Sequence, residues 1–189
     1  MSVDGRVADL IARGLGDEAA TAAIESLGPE ILGYLRAVLR DEDEASDAFS
    51  QFAESVWRGL HGFRGEASLR VWCYRIAWRA VLSQKRDPYQ RRRDRLDTSM
   101  ASRVAGRIYA TTALEMERQS TALDRLKAQL DPGEQTLLTL RVDRQLSWSE
   151  VADVLAEDGE RLDEPVLRKR FERLKDKLTR AARGEGLVE

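Results

Sequence analysis

The chain has 189 residues, of which 42% are apolar and 34% charged, with a formal net charge of −2. That length allows one domain or two small ones, and the composition fits a folded protein with long helices. One cysteine, Cys73, and one histidine, His61, exclude an internal disulfide and a Cys/His metal cluster, and the near-neutral balance means that any nucleic-acid contact must come from where the positive charges gather.

The beginning of the chain lacks a basic-then-apolar signal segment, and no run approaches the length of a membrane span. The expectation is therefore a cytoplasmic protein with no membrane insertion. From Val7 to Leu27 the pattern reads as one helix, or as two broken near Gly14 and Gly16. Pro29 sits where a first helical turn would begin. Beyond it Ile31, Leu32, Leu35, Val38 and Leu39 recur at helical spacing. The acidic run from Asp41 to Glu44 ends that helix and starts the next, where negative charge is favourable.

The following helix carries an apolar stripe of Phe49, Phe52, Ala53, Val56 and Leu60, with Asp47, Gln51, Glu54 and Arg58 opposite. Residues His61 to Ala67 hold Gly62 and Gly65 and read as a loop. A third helix runs from about Ser68 to Lys85. Leu69, Trp72, Cys73, Ile76 and Ala80 share a core-facing side of it. Val71, Tyr74, Arg75, Trp78 and Leu82 lie on the other side, with Lys85 and Arg86 beyond. Tyr and Trp at one-turn spacing do not suit a solvated face. That side is either a second buried face or a surface on which bases of single-stranded DNA stack.

Organisation then weakens. Asp87 to Glu117 contains Pro88, a basic cluster (Arg91, Arg92, Arg93, Arg95) and a stretch rich in Ser, Thr, Ala and Gly. It reads as a partly helical linker, its basic cluster either touching phosphates or simply solvated. The second domain begins near Thr121. Leu123, Leu126 and Leu130 form one stripe. Asp131 can cap the next helix, with Pro132 in its first position and Glu134 closing a capping box. Leu137, Leu138 and Leu140 supply the apolar side of that helix. Ser147 and Glu150 make a second capping box, opening a short helix with Val151, Val154 and Leu155. A loop from Glu157 to Asp163 leads to the last helix, capped by Asp163 or Glu164 with Pro165 just inside. Its stripe is Leu167, Phe171, Leu174 and Leu178, and Gly184 and Gly186 mark its end.

Opposite that stripe sit Lys169, Glu172, Arg173, Asp176 and Arg180, flanked by Arg168 and Arg170. A short helix, a connection and a longer basic amphipathic helix is the arrangement that places a recognition helix in the major groove. Arg and Lys can bond guanine edges there, and Glu172 can accept from a cytosine amino group. An ordinary charged helix on a bundle is the alternative. His61 reads as a polar loop residue and Cys73 as a core thiol. The sequence contains no nucleophile–base pair, phosphate-binding glycine loop or paired acids of catalytic type. The expectation is a non-enzyme with neither cofactor nor metal. The fold class is all-α: two small helical domains, residues 1–87 and 119–189, joined by a linker over 88–118. The second is a helix-turn-helix domain of winged-helix-like, three- or four-helix type.

Several stretches together resemble the small bacterial sigma factors of the sigma-70 family, extracytoplasmic-function type. Glu44-Ala45-Ser46-Asp47 followed by Val56-Trp57 is similar to the family's polymerase-binding helix. Phe63-Arg64-Gly65 with Trp72-Cys73-Tyr74-Arg75-Ile76-Ala77 resembles the part that meets the −10 promoter element. Leu126 to Leu140 and Leu146-Ser147-Trp148-Ser149-Glu150-Val151-Ala152 resemble the domain that reads the −35 element. The order and spacing of these stretches, from about Leu10 to Ala182, carry the resemblance. Ser46, Ser50 and the Trp78-Arg79 pair depart from the residues usual in the family, and the lead-in to the last helix is long.

The resemblance implies a factor that does no covalent chemistry but binds core RNA polymerase and promoter DNA. Asp47, Gln51, Glu54 and Arg58 would face the polymerase. His61, Arg64, Tyr74, Arg75, Trp78, Lys85 and Arg86 would hold the melted −10 strand, with the Gly62–Ala67 loop resembling the one that captures a flipped base. Arg168, Lys169, Glu172, Arg173 and Arg180 would read the −35 duplex. The resemblance also makes an anti-sigma protein a candidate partner. Two other classes stay open at this point: a sigma-like regulator acting at an operator without polymerase, and an interaction protein using the same helical domains.

Overall fold

The computed structural model describes residues 2–86, 99–116, 126–156 and 160–184. Apart from turns and short connections these residues are helical, and no β-strand is found among them. The chain divides into two compact units, Met1–Glu117 and Arg118–Glu189.

In the first unit, α1 (Val3–Ala12), α2 (Gly16–Leu39), α3 (Glu42–Gly59), α4 (Leu69–Arg86) and α5 (Ser99–Met116) pack around one core. Ser2 caps α1, and Gly14 turns the chain with φ +74°, a conformation glycine adopts without steric cost. The break expected near Gly14 and Gly16 is therefore present. At the corner between α2 and α3, Arg40 takes a left-handed conformation and Asp41 caps α3 by accepting from the Glu44 amide at 2.8 Å. The acidic run thus serves the start of α3, where orphan amides and the helix dipole favour it. A single-turn 3-10 segment, Leu60–Gly62, leads into the loop before α4. Asp4 of α1 reaches the other end of that loop and accepts from the Leu69 amide at 3.4 Å.

Two expectations are corrected here. Pro29 does not start a helix; α2 runs through it without interruption. A mid-helix proline removes one amide bond and crowds the carbonyl one turn back. Pro29 and Glu25 are both exposed, while Ile24, Leu27, Ile31, Leu32 and Leu35 are buried on the other side. Burial of that continuous stripe outweighs a defect of about 3 kcal/mol on the wet side. The second correction concerns the linker. Residues 99–116 are a full helix packed on α2 and α3 and belong to the first unit. Ala101, Val104, Ala105 and Ile108 are its buried stripe. A Cβ built on Gly28 would lie 2.6 Å from Ile108 Cδ1, so the glycine lets α5 approach α2. At the helix corner, Arg36 Nη2 lies 2.5 Å from Glu42 Oε1, the Tyr109 hydroxyl donates to the same carboxylate, and the Arg36 guanidinium sits 4.6 Å from the Tyr109 ring centre. Burial pushes the Glu42 carboxyl up, but the bonds from Tyr109 and Arg36 outweigh it and leave it below its ordinary value. The basic cluster Arg91–Arg95 lies outside the described residues.

In the second unit, α6 (Pro132–Leu138) continues into a π-helical turn at Thr139–Asp143, followed by α7 (Trp148–Val154) and α8 (Glu164–Gly184). Both expected capping boxes are formed. Asp131 and Glu134 exchange bonds of 2.8 and 2.9 Å, and Ser147 and Glu150 exchange bonds of 3.2 and 2.7 Å. Leu130, Leu138 and Leu174 make a core against which Phe171 and Leu178 pack. Lys177 of α8 closes on Glu134 at 2.5 Å. Because each cap side chain satisfies amides that nothing else in its short helix can reach, Ser147→Ala and Asp131→Ala should each destabilise by about 0.5–2 kcal/mol. Asp131→Asn, which keeps an acceptor oxygen, should lose less. Urea denaturation followed by circular dichroism measures the difference, and equal losses for Asn and Ala would show that the cap is not the cause.

Candidate nucleic-acid interface

Among the described residues the strongest concentration of exposed cations lies on α8. Leu167 and Leu174 are buried and Phe171 and Leu178 half-buried, so the expected stripe faces inward. At 100° per residue the opposite side carries Lys169, Glu172, Arg173, Asp176 and Arg180, all exposed. They are not equivalent. Glu172 pairs with Lys175 at 2.7 Å, and Arg180 Nε donates to the Asp176 carbonyl at 3.3 Å. Arg168 pairs with Glu164 at 3.3 Å and lies 5.2 Å from the centre of the Trp148 ring. Lys169 and Arg173 make no ion pair among the described residues.

Trp148 organises the junction of α7 and α8. Phe171 meets its ring edge-on with centroids 5.6 Å apart, and Arg141 from the π turn stacks at 4.7 Å while donating to the Leu146 carbonyl. Cation–π contacts of this kind contribute about 0.5–1 kcal/mol at exposed sites. Arg161, in the lead-in to α8, donates to the Ser149 carbonyl at 2.9 Å and pairs with Asp153 at 2.9 Å. The long lead-in is thus tied to α7. Sequence reading missed Trp148, Arg141 and Arg161 as organisers. Trp148 stands one turn before Val151 and two before Leu155 on the same apolar stripe, which is the signal that could have found it.

On α3, Asp47, Gln51, Glu54 and Arg58 share one face as expected. Gln51 and Arg58 are exposed and Asp47 and Glu54 half-buried. Arg58 pairs with Glu54 at 2.5 Å within the helix.

The face of α4 with Tyr74 and Trp78 is corrected. Tyr74 is 0% exposed and Trp78 only 5%, and Val71, Ala77 and Val81 are buried with them. Tyr74 packs edge-on against Tyr34 of α2, with ring centroids 5.3 Å apart. The helix is apolar on two sides because α2 and α3 both pack on it. Neither ring offers a face to a base. Cys73 is buried too, and burial pushes its thiol far above the ordinary range, so it is an inert core group. Arg75 is half-buried and Lys85 exposed; the side chain of Arg86 lies outside the described residues. Arg64 is exposed in the loop, where Gly65 has φ +72°. The ring of His61 lies against Gly16 at the start of α2, so that a Cβ there would meet it at 2.2 Å. Beside the loop and the start of α4, Phe63 and Trp72 are half-buried, with centroids 5.4 Å apart.

Laid over this geometry, a sigma-70 region 2 family matches residues 23–93, from within α2 through all of α4. The match falls on the helical bundle of the first unit. The chain is similar to the RNA polymerase sigma factor YlaC of Bacillus subtilis (strain 168), 27% identical over 162 residues that cover 82% of this chain and 90% of that protein. That match is longer than the first unit and so reaches into the second. Residues 23–93 thus match the sigma-70 family's region 2, and the chain is similar to a sigma factor along most of its length.

Proposed function

We propose that this sigma factor joins core RNA polymerase through α3, holds the −10 region with the loop before α4, and reads the −35 duplex with α8. The observation that carries the reading is the region 2 match over residues 23–93, which falls on the bundle presenting the α3 face. The factor directs promoter-specific initiation; bond making belongs to the polymerase. Gln51 and Arg58 offer exposed polar contact to the clamp, and Asp47 and the Glu54–Arg58 pair fix the charge pattern beside them.

For the −10 strand the buried Tyr74 and Trp78 are replaced by Phe63 and Trp72 as the aromatic surface, with Arg64 next to Phe63 and Arg75 one turn past Trp72 as cations, and Lys85 exposed farther along the same helix. Stacking a base on such a ring contributes about 1–3 kcal/mol, against an unpairing cost of roughly a few kcal/mol. Trp148, Arg141 and Arg161 brace the start of α8, so that Lys169 and Arg173 are presented from a fixed helix. In this reading α7 and α8 act as a helix-turn-helix reader. The near-neutral net charge keeps the free factor a weak nonspecific DNA binder, because that affinity grows with the number of phosphates neutralised. Work beside polymerase places the factor in the cytoplasm, and an anti-sigma protein would act by covering these same faces.

The decisive experiment is complex formation. The purified chain should co-elute with matched core RNA polymerase on size exclusion at micromolar concentration. Changing Asp47 and Gln51 together to Arg should weaken that complex about tenfold or more, since it inverts the charge of the contact face. No complex with the wild-type chain would sink the reading.

A further inference from the structure

Val166 is 43% exposed in the first turn of α8, and Val142 is the other large hydrophobic residue so exposed among the described ones. The position is a poor one for valine on folding grounds. A β-branched residue on an exposed helix surface is less favourable than alanine, and Val166 lies outside the α8 core formed with Leu130 and Leu138. Its neighbours are distinctive. On a 100° wheel Val166 falls on the same strip as Lys169, Arg170 and Arg173, one and two turns along the helix, and all three are exposed. The strip is therefore a small apolar spot followed by three cations at the end of the helix that leads into the groove. Glu164, Arg168 and Trp148 engage one another on the opposite side of the same turn, which leaves this one outward.

Resting on the reading of α8 as the −35 helix, we propose that Val166 is a specificity-determining residue that packs on the 5-methyl group of a thymine in the −35 element. The thymine methyl is the one apolar group that a base pair shows in the major groove, and small apolar side chains are its ordinary partners. Cations beside the valine bring the phosphates and guanine edges that flank such a base within reach, so the methyl contact is made without leaving a polar group unpaired. A solvent-exposed valine becomes covered only when the cognate base is in place, and this is how an apolar residue on a recognition helix carries sequence information.

The test uses full-length protein in complex with core polymerase and its own promoter. Each thymine of the −35 element is replaced in turn by deoxyuridine, which removes the methyl and nothing else. One replacement should weaken binding about fourfold, the effect of uncovering one methyl. Val166→Ala should bind the thymine promoter about fourfold more weakly and the deoxyuridine promoter no more weakly than wild type does, so that the two changes do not add. Alanine is the better helix former, so the variant keeps α8. Arg173→Ala on the same DNA is the control for the underlying reading. If Arg173→Ala weakens binding while every deoxyuridine is silent, or if the losses simply add, the Val166 contact is wrong and α8 still reads the element. If Arg173→Ala is silent as well, α8 does not read DNA and both proposals fall.

Discussion

Tyr74→Ala should destabilise the first unit by about 3–5 kcal/mol, the range for removing a buried aromatic side chain. The ring is fully enclosed, packs edge-on against Tyr34, and lies among Val71, Ala77 and Val81 where α2 and α3 both meet α4. Truncation would leave a cavity that rigid helices on both sides cannot close. Since whole domains are stable by only about 5–15 kcal/mol, such a loss takes a large share of the total. The midpoint of thermal unfolding should fall on the order of 10–20 °C. Tyr74→Phe keeps the ring packing and should stay within about 2 kcal/mol of wild type. Lys85→Ala, at an exposed position of the same helix, should leave stability within about 0.5 kcal/mol. Circular dichroism during heating separates these three. A Tyr74→Ala protein with wild-type stability but defective promoter opening would mean that the ring is a DNA contact after all.

The same residue illustrates what a single chain can and cannot reveal. Alternating apolar faces on the α4 segment were plain, with Leu69, Cys73 and Ala80 on one and Val71, Tyr74 and Trp78 on the other. Whether the second face meets protein or nucleic acid depends on helices from elsewhere in the chain, and no local pattern encodes that. Capping boxes at Asp131 and Ser147 could be read outright because donor and acceptor are three residues apart. The α8 stripe was equally readable from its period. The α5 segment was not: its buried positions 101, 104, 105 and 108 have helical spacing, but two of the four are alanines amid Ser, Thr and Gly, so the apolar signal was faint. Its docking rests on Gly28 and on the Arg36–Glu42–Tyr109 cluster, contacts made across more than sixty residues of chain. Pro29 misled for the converse reason, since a strong local signal was overridden by packing on the opposite side of α2.

Arg173→Ala should cost about 1–3 kcal/mol of discrimination between the true −35 element and a scrambled one, the value of one bidentate arginine–guanine contact. At about 1.4 kcal/mol per decade this is roughly fivefold to 150-fold. Arg173 is the cation on α8 best suited to that role. Among its neighbours, Arg168 is engaged by Glu164 and Trp148, and Arg180 by the Asp176 carbonyl, whereas Arg173 is exposed with no ion pair among the described residues. Its two-donor edge can therefore be spent on a base. Arg180 lies two further turns along, beyond the part of a recognition helix that usually enters the groove, and is placed for phosphate. Arg180→Ala should weaken binding alike on both DNAs and flatten the dependence on salt by about one phosphate. Arg168→Ala should act differently from either. Loss of its stack on Trp148 frees the start of α8, so affinity should drop on the true element, and Arg168→Lys, which keeps the charge but not the planar stacking surface, should not restore it. Binding of each variant in complex with core polymerase, titrated on both DNAs across a salt series, resolves the three behaviours. Equal losses on both DNAs for Arg173→Ala would show that it only positions the helix, because a base contact must disappear on the scrambled sequence and a phosphate contact must not.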